Sequence, residues 1–129
     1  MIQVGTILKV VDNTGAKNVI CLKIYSGYRS RYAYFTDIVL VSVRTLRSKR
    51  RDSVKVKKGE MYKALILRVK YPKIFFNGDI IKYVDRPAVV LLNKQQKILG
   101  TRIFGSLLNK FRFTKYLKAL TLSSGSHSV

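Results

Sequence analysis

Residues 2–25, IQVGTILKVVDNTGAKNVICLKIY, decide the fold. Ile2 to Val11 is apolar and β-branched, with Lys9 facing out, which is the pattern of a strand. Asp12-Asn13-Thr14-Gly15 then supplies turn residues and a glycine able to take positive φ. Ala16 to Tyr25 alternates. Ile20, Leu22 and Ile24 form the cleaner core face, while Lys17 and Lys23 point to solvent on the other. Val19 and Cys21, between those lysines, need a neighbouring segment to cover them.

The same pattern continues outward. Ser26 to Arg31, SGYRSR, is a glycine-containing loop. Ile38 to Val43 is a nearly buried strand, and Glu60 to Val69 is the next one. Tyr71 to Gly78 holds Pro72 and Asn77-Gly78, a hairpin-type turn. Ile80 to Val84 and Ala88 to Leu92 are two short strands, with Pro87 at the break. Turn signals every roughly 8–12 residues predict a small β-barrel, a mainly β class. Ser106 to Leu120 changes character, with apolar residues at 107, 108, 111, 117 and 120 among lysines and arginines. One or two short helical turns are expected there, with Leu117 to Leu122 an alternative returning strand. One face of this piece packs on the barrel and its basic face is free for RNA. The chain of 129 residues fits one domain, 1–122, followed by a polar tail, 123–129.

Lys and Arg number 26 against 6 Asp and Glu, for a net charge of +20. The densest stretch is Arg44 to Gly59, RTLRSKRRDSVKVKKG, with Arg44, Arg47, Lys49, Arg50, Arg51, Lys55, Lys57 and Lys58 against Asp52 alone. Such charges repel one another in isolation and are comfortable against a polyanion. Arginine offers phosphate a bidentate fork and lysine a point charge, so these eight residues are candidate phosphate contacts. Lys17, Arg29 and Arg31 join the set. Aromatics sit beside bases in Tyr28-Arg29, Arg31-Tyr32, Phe111-Arg112-Phe113 and Lys115-Tyr116, an interleaving suited to stacking on unpaired bases. Nucleic acid is the default partner and an anionic membrane surface the rival; no apolar run long enough for a spanning helix exists. A nuclear-import signal also fits the charge run taken alone.

One cysteine, Cys21, and one histidine, His127, leave no internal disulfide, zinc site or catalytic triad to assemble. No catalytic residue, metal, cofactor or small-molecule substrate is expected. Gly100 to Gly105, GTRIFG, lacks both the Gly-x-Gly of a dinucleotide loop and the Gly-Lys-Ser/Thr of a P-loop. Asp12 and Asp37 read as turn and cap residues. No cleavable targeting segment precedes the first strand, so the chain is expected to act where it is made, or to lack a presequence here.

Met1-Ile2-Gln3, VDNTGAK (11–17), VKKGE (56–60), ALILR (64–68), AVVLLN (88–93) and GTRIFG (100–105) resemble large-subunit ribosomal protein fourteen, in its bacterial and organellar form. The resemblance runs from Met1 to about Leu122. It implies a five-stranded β-barrel with a protruding β-ribbon and short C-terminal helices. It also implies a structural, non-catalytic role: binding large-subunit rRNA, meeting small-subunit rRNA at an intersubunit bridge, and touching large-subunit ribosomal proteins nineteen and three, with no membrane partner. Thr101, Arg102, Lys118 and Thr121 match family positions that contact a ribosome-silencing factor, the last with its hydroxyl kept. The chain departs from the family at Ser106, at Arg86, in a longer 47–54, and in VKYPKIFFN (69–77), more aromatic and less charged than the usual basic ribbon tip. These changes, with the Lys, Ile, Tyr and Phe bias, imply an organelle-encoded, mitochondrial protein; a plastid or bacterial cytoplasm is the alternative. The alternative function is a free OB-like single-stranded nucleic-acid-binding module.

Overall fold

The computed structural model describes residues 1–47 and 54–127. Five strands close a barrel: β1 (Ile7–Val10), β2 (Ala16–Ile24), β3 (Ile38–Leu46), β4 (Met61–Arg68) and β7 (Ala88–Leu92). Neighbours are antiparallel except at the closing seam, where β1 and β7 run parallel with Lys9 opposite Ala88 and Val10 opposite Val89. Between β4 and β7 the chain leaves the barrel as a ribbon, β5 (Lys73–Ile74) and β6 (Ile80–Ile81). The expected barrel and ribbon are both present.

Burial explains which strands are central. Ala64 to Leu67 in β4 and all of β7 are buried without alternation, so both faces of each strand are covered. One face lines the barrel, where Leu8, Val10, Val39, Val41 and Val43 also point. Segments after β7 lie on the outside. Phe104 N–H donates to the Val11 carbonyl (2.8 Å), and β8 (Ile103–Leu108) packs against β4. Leu107, Leu108, Phe111 and Ala119 are all buried, which extends the core beyond the barrel. At about 25 cal/mol per Å² of apolar surface, a buried phenyl ring such as Phe111 contributes a few kcal/mol.

Several expectations need correction. The core face of β2 is not Ile20, Leu22 and Ile24. Ala16, Val19, Cys21 and Ile24 are buried, Ile20 is half-buried and Leu22 is exposed. The register of β2 against β3 shifts between Ala16 and Asn18, Asn18 and Val19, and Cys21 and Lys23. At the first and third the extra residue lies in β2, so the buried set changes phase between Ala16 and Val19 and again between Cys21 and Ile24, which strict alternation cannot show. Ile2 to Val11 is not one strand either. Ile2 pairs alone with Ala33, and Gly5 N–H donates to Cys21 O (2.7 Å) before β1 begins. β3 runs three residues past Val43, to Leu46, and the strand expected over Ile80 to Val84 is only Ile80–Ile81.

The C-terminal part also differs. Ser106 to Leu108 is the end of β8, and helix begins only with a 3₁₀ turn at Asn109–Phe113, followed by α1 (Leu117–Leu122). Leu117 to Leu122 is thus helix and not a returning strand. The return is made by β9 (Ser123–His127), in the segment read as a polar tail, which pairs parallel with β8.

Asp12 holds the barrel seam. Its side chain is fully buried. Oδ1 accepts the N–H (3.1 Å) and the hydroxyl of Thr14, and Oδ2 accepts the Leu91 N–H of β7 at 3.0 Å. Gly15 completes the turn at φ +98°. Asp12→Ala leaves the buried Leu91 N–H without its acceptor. We expect a loss of about 3 kcal/mol, seen as a melting-temperature drop of roughly 10 °C by calorimetry.

Candidate nucleic-acid interface

The turn at 12–15 organises the basic residues around it. Arg47 N–H donates to Gly15 O (2.8 Å) and Lys55 N–H to Thr14 O (3.0 Å), so both residues are tied to this turn. Farther on, Glu60 accepts the Lys57 N–H (3.1 Å) and the Tyr62 hydroxyl (2.5 Å). That closes a tight turn which, through Gly59 N–H to Val43 O (2.9 Å), presents Lys57 and Lys58 beside the end of β3. The two hydrogen bonds hold the Glu60 carboxyl below its usual range. Partial burial and the bond to Glu60 push the Tyr62 phenol up to about 12.

Asn13 reaches across the fold. Its Oδ1 accepts the Thr101 N–H (2.9 Å) and its Nδ2 donates to Thr101 Oγ1 (2.6 Å), which joins VDNTGAK to GTRIFG. Beyond this clasp, Phe104 carries three guanidinium groups. Arg47 and Arg102 lie 5.5 and 5.3 Å from its ring centroid, and Arg68 Nη2 donates to its carbonyl at 2.7 Å. Arg47 also donates from Nη2 to Val10 O at 3.0 Å. Lys9, Val11 and Gly105 complete a recess with Arg47, Arg68 and Phe104. Arg68 is half-buried, and burial lowers its pKa against the opposing pull of Tyr83 and Asp85. Its Nε has no hydrogen-bond acceptor among the described residues.

The predicted phosphate contacts fall into two groups. Lys17, Arg44, Arg47, Lys55, Lys57 and Lys58 gather around the start of β2 and the end of β3, all exposed except the half-buried Arg47. Lys49, Arg50 and Arg51 lie outside the described residues. Arg29 and Arg31 are exposed in the loop after β2, so the nine-residue strand separates them from Lys17 by roughly 25–30 Å. There Arg29 lies 5.3 Å from the centroid of the exposed Tyr28 ring. The other basic–aromatic pairs divide: Phe113 is exposed, whereas Phe111 and Tyr116 are core.

Thr101 and Arg102 lie just before β8, and Lys118 and Thr121 lie on α1. Ile103 pairs with Ser123, which sets the exposed Thr101 and Arg102 beside the end of α1. Lys118 and Thr121 are exposed on α1, and Thr121 Oγ1 donates to Lys118 O (2.9 Å). Sequence reading missed Lys9, Arg68 and Phe104, which converge only through tertiary pairing. It also missed Tyr25, flanked by the ammonium groups of Lys23 and Lys63 at 5.7 and 5.6 Å. The available signal for Arg68 was Gly105, a glycine in an otherwise apolar strand, which marks close approach.

Among the described residues, no three His, Cys, Asp or Glu side chains gather, and exposed cations surround a closed barrel. Such a molecule is a basic scaffold that presents charge. Residues 1–126 match the family described as ribosomal protein L14p/L23e, and the chain belongs to that family. It is a ribosome-associated, structural constituent of the large subunit, of a non-enzymatic kind.

Gly105 sits at φ +89°, and a Cβ there would lie 2.5 Å from Arg68 Nη1. Gly105→Ala is expected to cost about 2 kcal/mol in urea unfolding, from left-handed strain plus displaced guanidinium. In an Arg68→Ala background the same change should cost about 1 kcal/mol less, a coupling that a double-mutant cycle reads directly.

Proposed function

We propose that this chain binds large-subunit rRNA through the basic residues around the β2–β3 end, and that it belongs to the bacterial and organellar branch of its family, in a mitochondrial ribosome. The observation that carries the RNA reading is the gathering of Lys17, Arg44, Arg47, Lys55, Lys57 and Lys58 beside one turn, on backbone hydrogen bonds that fix their spacing. Polyanion binding relieves the mutual repulsion of these charges and releases counterions. Arg29 with Tyr28 supplies a second contact, where a base or ribose can stack on an exposed ring already flanked by a guanidinium. Spacing of the two groups across the barrel suits a folded RNA that passes both ends of the molecule. On this reading the same molecule contributes to an intersubunit bridge with small-subunit rRNA.

The surface of Thr101, Arg102, Lys118 and Thr121 is proposed for protein contact, with the ribosome-silencing factor and with large-subunit proteins nineteen and three as neighbours. What supports it is the pairing of Ile103 with Ser123, which ties the strand after Arg102 to the residue after α1, while Thr101, Arg102, Lys118 and Thr121 are all exposed.

Two outcomes are expected. Replacing Lys49, Arg50 and Arg51 with Ala should flatten the slope of log K against log salt for rRNA binding by about 2 units, at roughly 0.7–0.9 per phosphate contact. Arg47 is best left out of that variant, because its guanidinium donates to Val10 O and lies on the Phe104 ring, which makes the side chain part of the fold. An unchanged slope removes the loop from the interface, and sedimentation of the native chain as a small free species removes the particle. Arg102→Ala should leave incorporation into the large subunit intact and weaken silencing-factor binding about 10-fold or more, measured by titration calorimetry; equal affinity sinks that assignment.

A further inference from the structure

The ribbon stands apart from the rest of this cationic chain. Residues 71–81, YPKIFFNGDII, hold one lysine and one aspartate, and so carry no net charge in a chain of +20. They also expose apolar surface. Tyr71, Ile74, Phe76 and Ile80 are all solvent-exposed, Ile74 by 70% and Ile80 by 64%. An exposed apolar cluster of this kind marks an interaction surface.

The surface has a shape. A groove of about 480 Å³ runs between the ribbon and the barrel, lined by Tyr34, Phe35, Val69, Pro72, Ile74 and Ile80. That volume lies within the roughly 300–1,000 Å³ of recognised binding pockets. The groove is held open by its neighbours. Phe75, at the end of the ribbon's first strand, is buried, with Lys110 Nζ 3.7 Å from its ring centroid. The hairpin is closed by Phe75 N–H to Asp79 O and Gly78 N–H to Phe75 O, both 3.0 Å. Phe35 packs against Tyr83 with ring centroids 6.2 Å apart. Lys73 is the charged residue of the lining. Its Nζ lies 5.7, 5.9 and 6.0 Å from the ring centroids of Tyr34, Phe35 and Phe75, with no carboxylate partner among the described residues.

We propose that this groove binds a segment of a neighbouring protein that presents apolar side chains to the lining and a carboxylate to Lys73. Four of the lining residues, Val69, Pro72, Ile74 and Ile80, are aliphatic and a single one, Lys73, is charged, so the groove suits apolar side chains with one anion better than a phosphate backbone that carries a charge at every nucleotide. A peptide gains from both features at once. Its apolar side chains leave water, and its acid meets an ammonium set among three rings. This proposal is independent of the RNA contacts above, which use other residues and a different force.

The test needs no substitution. Native particles containing the chain are treated with a zero-length carbodiimide, which joins lysine to a carboxylate in direct contact, and the products are read by mass spectrometry. The expected result is Lys73 joined to an Asp or Glu of another protein, within a stretch carrying at least two apolar residues. In the same particles Lys73 should resist acetylation that modifies the exposed Lys94. Ultraviolet cross-linking of Tyr71 or Phe76 to RNA, Lys73 joined only to acids of its own chain, attachment to lipid, or free acetylation of Lys73 each overturns it. Co-sedimentation with the large subunit is scored separately, so a failure of the particle assignment is distinct from a failure of the groove.

Discussion

A single buried carboxylate joins the parts of this molecule that sequence keeps far apart. Asp12 closes its own turn through Thr14 and grips the backbone of β7 through Leu91, at the parallel seam where the barrel closes. Burial of an acid is tolerable only with its oxygens satisfied, and here both are. From the fixed turn, Asn13 reaches Thr101, while Thr14 and Gly15 take the ends of the basic segment. Loss of that carboxylate therefore loosens the seam, the clasp to the C-terminal part and the frame of the cationic surface together.

The scarce acids share one kind of role. Asp12 accepts from Thr14 and Leu91, Asp37 from the Tyr34 N–H at 2.8 Å, and Glu60 from Lys57. Each binds backbone and shapes a turn, and the Glu60 charge also acts on the neighbouring Lys57. With 6 acids against 26 bases, most of the surface cations have no acid to answer them. Aromatic rings and carbonyls hold them instead: Arg47 and Arg102 on Phe104, Arg29 on Tyr28, Lys23 and Lys63 on Tyr25. A cation on a ring keeps its charge and most of its hydrogen-bond donors, and so remains available to an outside anion.

How far this was legible follows from the same physics. Strand positions in β3, β4 and β7 were readable because buried apolar runs there are bounded by turn residues. The inward face of β2 was not, since two extra residues within the strand break alternation without changing a single residue type. β8 and β9 escaped notice because their pairing is parallel and joined across α1, and β9 consists of Ser, Gly and His, which carry no strand signal. Among site residues, the charge run at 44–59 announced itself by density. Arg68 and Phe104 did not, because their meeting depends on Gly105 admitting a guanidinium against the backbone, a tertiary fact.

Charge and apolar surface are partitioned on this fold, and the partition has consequences for how the two proposed contacts form. Interactions of the β2–β3 end with a polyanion reach over about a Debye length, roughly 8–10 Å at physiological salt, and act before contact is made. The ribbon groove works only once water is expelled, at van der Waals distance. Long-range attraction therefore acts first and orients the barrel on RNA, and short-range burial follows wherever the neutral ribbon then lies against protein. A basic ribbon would add to the first effect and be unable to supply the second. Placing Ile74, Phe76 and Ile80 on a projection without net charge keeps the two contacts from competing for the same partner.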